Sequence, residues 1–300
     1  MLKKSKSTDS ASLSIPRSMY PQTDMTQDQF KRIATFMEKT TGIKMPDSKR
    51  TMIQARLSNR LKVLGFENYS QYIDYAFATN ECANEEIIMM IDLLTTNLTH
   101  FFRENQHFDF MTQNVLPHLV KENIQIPKIW SAGCSSGEEP YTLSIVMQEF
   151  IAKNRPSFSD YSILATDIST RILSSAKQGV YPLESVEKLP YDLKKKYFLK
   201  SKNPDKPYAK VKDFVRAKIQ FNRLNFMDSS YKIPDKKDII FCRNVLIYFD
   251  KPTQFAVIRK LVNCLRTGGF LFLGHSETIF GSGLPLKTIS TTVFQKTEEY

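Results

Sequence analysis

The stretch Trp130–Tyr141, "WSAGCSSGEEPY", sets two glycines after a short apolar run and two carboxylates after the glycines. Gly133 and Gly137 fall between an expected strand and an expected helix, where ligands bind in α/β folds, outside the carboxyl ends of the strands. The spacing is neither G-x-G-x-x-G nor a Walker loop, since no G-K-[ST] follows, which disfavours a dinucleotide or a nucleoside triphosphate. Glu138 and Glu139 at the helix start repel a pyrophosphate while favouring hydroxyls and a positively charged ligand. The next strand, "YSILATD", ends in Asp167, placed to take ribose hydroxyls in the same crevice. These residues describe a nucleoside that carries positive charge, and S-adenosylmethionine fits through its sulfonium and amino groups. Caps and turns use the same residue types, so that alternative stays open. "NRLNF" adds Asn225, and "FCRNVLIYF" adds Asn244 and Tyr248. An Asn at a strand end is often a turn residue bonding its own backbone. Arg243, before an apolar run, needs a partner for its charge.

The elements that must hold these residues follow from periodicity. From about residue 127, short apolar runs ("KIWSAG", "YSILATD", "KIQFNRLN", "KKDIIFCRN", "GGFLFLGHSE") alternate with helical stretches, an α/β pattern with a mostly parallel sheet. "TTVFQK" reads as a last, antiparallel strand. Upstream, "TQDQFKRIATFMEKTTG" opens with a capping box, Thr26 and Gln29, and sets Phe30, Ile33, Phe36 and Met37 on one face before Gly42. A second helix over Ser48–Leu64 buries Ile53, Leu57, Leu61 and Leu64. Lys49, Arg56 and Arg60 fall within about 40° of one another on it at 3.6 residues per turn; by itself such a ridge reads as a solvated edge. Residues 1–22, rich in Ser, Lys and Pro, read as a disordered tail.

The chain has 300 residues and a formal charge of +11, which points to acidic partners. Residues 177–223 hold thirteen Lys/Arg against five Asp/Glu, and alternation around "NPDKP" suggests a small hairpin there. Cys82, Cys134, Cys242 and Cys264 are scattered, with no histidine at ligand spacing, so neither a zinc site nor a disulfide framework is expected. Nothing approaches the roughly 18 apolar residues of a membrane span, and no apolar core follows the N-terminal lysines as in a signal peptide. A cytoplasmic protein is expected.

Four ordered motifs, "TNLTHFFRE", "WSAGCSSGEEPY", "FCRNVLIYFD" and "GFLFLGHSE", make the chain resemble the CheR family of chemotaxis receptor glutamate methyltransferases from about residue 22 to its end. The resemblance implies an α/β, class I (Rossmann-like) methyltransferase domain over 96–300 with a small antiparallel β-subdomain at about 178–222. An all-α domain over 23–95 would precede it. It implies S-adenosyl-L-methionine contacts from Asn97, Thr99, Arg103, Gly133, Glu139, Asp167, Asn225, Phe226, Asn244 and Val245, with Arg103 and Tyr248 near the transferring methyl group. Lys49, Arg56 and Arg60 would then face the substrate, the cytoplasmic domain of a chemoreceptor. No metal, nucleic acid or membrane insertion is implied, and a monomer is expected.

Such a reaction asks little of the protein. A glutamate with a pKa of about 4.3 is already ionised, so proximity and alignment suffice without a general base. His100, His107, His118 and His275 accordingly form no recognisable nucleophile–base pair. A nucleic-acid methyltransferase would suit the net charge, but the D/N-P-P-Y/F motif of amino-directed DNA enzymes is replaced by Asn244-Val-Leu-Ile-Tyr248. A cofactor-binding module that signals without turnover, or a methyltransferase acting on another acidic protein, remain the alternatives. The insert's "KSKNPDKP" loop lacks the glycine near which some family members dock a receptor's C-terminal peptide. Cys134, inside the glycine turn, would be open to thiol reagents if exposed.

Overall fold

The structure, a computed structural model, describes residues 24–298 except 156, 278 and 280–282; the tail expected over 1–22 lies outside the described residues. Helix α1 (Gln27–Thr41) opens on the expected capping box. The Thr26 hydroxyl accepts from the Gln29 amide and Gln29 Oε1 from the Thr26 amide. Helices α2 (Arg50–Leu64), α3 (Tyr69–Ala76) and α4 (Glu81–Leu94) complete an all-helical layer. Its core gathers Phe30, Ile33 and Met37 of α1 against Ile53, Leu57 and Leu61 of α2 and Met90, Ile91 and Leu94 of α4.

The expectation of a single helix from Ser48 is corrected. A 3-10 turn at Asp47–Lys49 precedes α2, so Lys49 stands ahead of the helix rather than on its face. The ridge on α2 is left without Lys49. Arg56 Nη1 donates to the carbonyls of Leu93, Leu94 and Thr95 at 3.3, 3.2 and 3.0 Å, satisfying groups left open at the end of α4. Arg60 pairs at 2.6 Å with the buried Glu86 carboxylate, which also accepts from Tyr72 Oη at 2.9 Å. Both arginines are half-buried, each with its guanidinium engaged by α4.

Beyond it, α5 (Gln106–Phe110) runs through a π-helical turn at Met111–Val115 into α6 (Leu116–Lys121). Then β1 (Lys128–Ala132), α7 (Glu138–Lys153), β2 (Ser162–Asp167) and α8 (Thr170–Gln178) alternate as the sequence requires. The basic insert forms β3 (Val180–Pro182), α9 (Tyr191–Tyr197), β4 (Phe198–Lys200), β5 (Tyr208–Val211) and α10 (Asp213–Arg216), with a three-stranded antiparallel sheet in the order β3-β5-β4. The chain returns through β6 (Ile219–Arg223), β7 (Lys237–Cys242), α11 (Lys251–Cys264), β8 (Leu265–Leu273), β9 (Leu286–Ser290) and β10 (Val293–Lys296).

The main sheet is ordered β6-β2-β1-β7-β8-β10-β9, parallel from β6 to β8 and antiparallel at β10 and β9. β6 pairs with β2 in this sheet, so an insert boundary at about 222 is corrected to before Ile219. Strands β1 and β7 are almost wholly buried, as expected of central parallel strands covered on both faces. Among the described residues no helix is long and apolar enough to cross a membrane.

Removing one partner of a buried pair strands the other charge. Arg60→Ala should therefore lower unfolding stability by about 2–3 kcal/mol, discounted for the arginine's partial exposure, with the acceptor KM unchanged. Urea titration and steady-state kinetics test this; an unchanged midpoint with a raised KM would restore Arg60 to the substrate surface.

Candidate functional site

The carboxyl ends of β1, β2, β6 and β7 open onto one crevice, closed from the other side by residues 94–103 and by the α1–α2 connection. It spans about 1060 Å³ open to solvent. Around it stand Asn97, Thr99 and Arg103, then Gly133 and Glu139, Asp167, Asn225 with Phe226, Asn244 with Val245, Tyr248, and Lys49. Arg56 and Arg60 do not line it.

Each contributor has a local cause. The Gly133 and Cys134 amides both donate to the Thr166 carbonyl, at 2.8 and 2.9 Å, folding the turn back over β2. Gly133 has φ +84°, and a Cβ there would lie 2.5 Å from Val245 Cγ2, so only glycine lets the two loops meet. Gly137 serves packing instead, against Ala176 and Tyr181. Asp167 accepts from the Ser135 amide through Oδ2 at 2.9 Å and from the Ser169 amide through Oδ1 at 3.0 Å. Each oxygen keeps a further acceptor site for a ligand hydroxyl. Burial pushes this carboxyl up, against the pull of those amides.

The centre of the wall is Arg243, whose side chain is 2% exposed. Its Nη1 donates to Glu139 Oε2 at 3.1 Å, and its Nη2 to Glu104 Oε2 at 3.0 Å and to the Arg103 carbonyl. The guanidinium also lies 5.4 Å from the Phe108 ring centre. Glu139 accepts in addition from Ser131 Oγ at 2.6 Å; burial raises its carboxyl and Arg243 opposes this. Glu104 accepts from Asn244 Nδ2 at 3.1 Å. Burial would raise Glu104, but the Asn244 bond and the Arg243 charge hold it below the usual range. Glu138 turns away to Ser136 Oγ at 2.6 Å, so one of the two carboxylates expected to face the ligand does not.

Nearer the mouth, Arg103 Nη1 donates to the Leu98 carbonyl at 2.8 Å, which anchors one edge of the guanidinium. Lys49 Nζ lies 5.6 Å from the centre of the Tyr248 ring, whose residue carbonyl accepts from the Lys44 amide at 3.0 Å. The inner wall is thus acidic and the mouth basic. Sequence reasoning named neither Glu104 nor Glu277, though "FFRE" and "GHSE" each end on the acid in question. Glu104, His107 and His275 place potential ligand atoms within 4.8 Å of one another, yet Glu104 is already taken by Arg243, whose charge opposes a cation there.

Two family models match the chain: the CheR methyltransferase SAM-binding domain over residues 97–295 and the CheR methyltransferase all-alpha domain over 28–95. A chemotaxis protein methyltransferase of Borreliella burgdorferi is 41% identical over 86% of this chain and 91% of its own length. Chemotaxis protein methyltransferase 2 of Pseudomonas aeruginosa is 36% identical over 90% and 93%. The chemotaxis protein methyltransferase of Salmonella typhimurium is 32% identical over 90% and 91%.

Two outcomes follow from burial. Cys134 is 1% exposed and its thiol is pushed well above its ordinary value, whereas Cys82 is exposed. A thiol reagent at pH 8 should label Cys82 first and leave Cys134 unmodified until the protein unfolds; mass spectrometry reads the order. His107, bonded through Nε2 to Thr292 Oγ1 at 2.7 Å, is pushed down to about 4, by burial first and then by Arg243. The unfolded chain protonates this histidine near 6.5 while the folded one does not, so stability is lost as pH falls from about 6.5 towards 4. His107→Gln should flatten that slope in thermal melts; an unchanged slope would assign it to other groups.

Proposed function

Because the chain belongs to the CheR methyltransferase family, we propose that it methylates glutamate side chains on the cytoplasmic domain of a chemoreceptor. The products are glutamyl methyl esters and S-adenosyl-L-homocysteine. It acts as a monomer in the cytoplasm, with residues 23–95 facing the receptor and 96–300 holding the cofactor.

The observation that carries this reading is the charge order of the crevice. Glu139 and Asp167 line the inner wall, while Arg103 and Lys49 stand at the mouth. A cationic ligand is favoured inside and a carboxylate is attracted from outside, which is the arrangement needed for methyl transfer from a sulfonium to a glutamate.

S-adenosyl-L-methionine, when bound, supplies an electrophilic methyl group on sulfur. Asp167 would take the ribose hydroxyls through the acceptor sites its two amide bonds leave open. Gly133, Phe226 and Val245, on the three loops that follow β1, β6 and β7 and line the crevice, would wall the nucleoside, and Asn97, Thr99, Asn225, Asn244 and Glu139 would complete its contacts. Arg103 orients the incoming carboxylate by a charge-assisted hydrogen bond, and its bond to Leu98 limits how far it can neutralise that nucleophile. Tyr248 flanks the methyl path, its ring held from one side by Lys49. No proton moves. With S-adenosyl-L-methionine bound, the acceptor oxygen, already ionised at neutral pH, would form the new bond to the methyl carbon as the methyl–sulfur bond breaks and its electron pair stays on sulfur.

Labelled methyl should pass from S-adenosyl-L-methionine to a chemoreceptor cytoplasmic fragment and be released by alkali, as an ester requires. Base-stable label, or none with the cofactor bound, would point to a different acceptor. Arg103→Ala should lower kcat by about 10²-fold, the usual cost of a misplaced reactant, with a much smaller change in cofactor Kd. Equal loss in both would leave Arg103 only a cofactor contact.

A further inference from the structure

Past the end of β8, the carboxylate of Glu277 gathers three backbone amides. Its Oε2 accepts from Gly274 at 2.7 Å and from Asn244 at 3.1 Å, and its Oε1 from Leu246 at 2.7 Å. The residue is 4% exposed. Asn244 leaves β7 with φ +59°, a region that asparagine tolerates better than most side chains but still at a cost. The amides of this loop fall beyond the β7–β8 ladder, which ends at Cys242 and Leu273, so they need a partner from elsewhere. The approach is close: a Cβ at Gly274 would sit 2.8 Å from the Asn244 nitrogen and 2.9 Å from Glu277 Oε2.

We propose that Glu277 is a positioning residue for cofactor binding, whose carboxylate sets the backbone of 244–246 so that Asn244 and Val245 face the crevice. The proposal rests on the reading of those two residues as cofactor contacts. An ionised carboxylate suits the task because it only accepts, and all three neighbours donate. A glutamine there would turn its own N–H groups towards at least one amide, and the loop would relax from the left-handed turn. Asn244 Nδ2 would then leave Glu104, and the Val245 side chain would withdraw from Gly133, coupling the loss to the opposite wall.

The test is calorimetric titration of folded Glu277→Gln with S-adenosyl-L-homocysteine, beside wild type and Asn244→Ala. Changes in groups that support a binding residue typically cost 10- to 100-fold in affinity, as at metal sites, and about tenfold weaker binding is expected here. A purely structural role would lower the melting temperature and leave the Kd of the folded protein unchanged. Unchanged affinity in Glu277→Gln therefore overturns the proposal whatever Asn244→Ala does. Weakened Glu277→Gln beside an unaffected Asn244→Ala supports the positioning of the loop and removes only the Asn244 side chain from the contacts. Should Glu277→Gln not fold, Glu277→Asp keeps an acceptor-only carboxylate but draws it back from the three amides; the same weakening supports the proposal and unchanged affinity overturns it.

Discussion

One buried cation organises this molecule's working end. Arg243 sits at the exit of β7 with its guanidinium almost wholly out of water, and a charge so placed is tolerated only if paired and hydrogen-bonded. Its partners come from segments far apart in sequence: Glu104 and the Arg103 carbonyl from the loop ahead of α5, Glu139 from the first turn of α7. Satisfying one arginine therefore fixes how three segments approach each other. The arrangement also leaves the crevice with two carboxylates against one guanidinium, an inner wall that favours a positive ligand. Removing Arg243 would change the shape of the site and deepen its negative charge.

Strain is concentrated in the same place. Among the described residues, six non-glycine positions have positive φ, and Phe102, Glu104, Ser135 and Asn244 all belong to loops around the crevice. Left-handed backbone at a phenylalanine or a glutamate is unfavourable and persists where surrounding contacts over-determine it. Those contacts are visible. The Phe102 amide donates to Thr142 Oγ1 at 3.2 Å, Glu104 is held by Arg243 and Asn244, the Ser135 amide by Asp167, and Asn244 by Glu277. The loops are held by side-chain acceptors in place of a ladder, which is how a strand end can present polar groups to a ligand and keep one geometry.

The helical layer takes part in the site as well as covering it. Thr41, Ile43 and Lys49 line the crevice, Asn225 Nδ2 donates to the Thr40 carbonyl at 2.7 Å, and the Lys44 amide reaches the Tyr248 carbonyl. Asn225, read as a cofactor contact, is tied to the end of α1, and Tyr248, read as flanking the methyl path, to the α1–α2 connection.

Periodicity and capping sufficed to read α1, the alternation of β1, α7, β2 and α8, and the antiparallel last strand, because each depends on contacts within a few residues. The same held for the side chains around the crevice: Gly133, Asp167, Asn225 and Asn244 all follow strand ends, and strand ends of a parallel sheet converge by topology. Partnership was not legible. Lys49, Arg56 and Arg60 share an angle on an ideal helix, yet Glu86, brought up by α4, claims one and the open carbonyls at the end of α4 claim another. Glu138 and Glu139 are adjacent in sequence and face different ways, because Arg243 arrives from β7, more than a hundred residues on, to take only the second. Local sequence determined which segments could form and where their polar ends would gather; which charge met which was decided only when the sheet order set distant strands side by side.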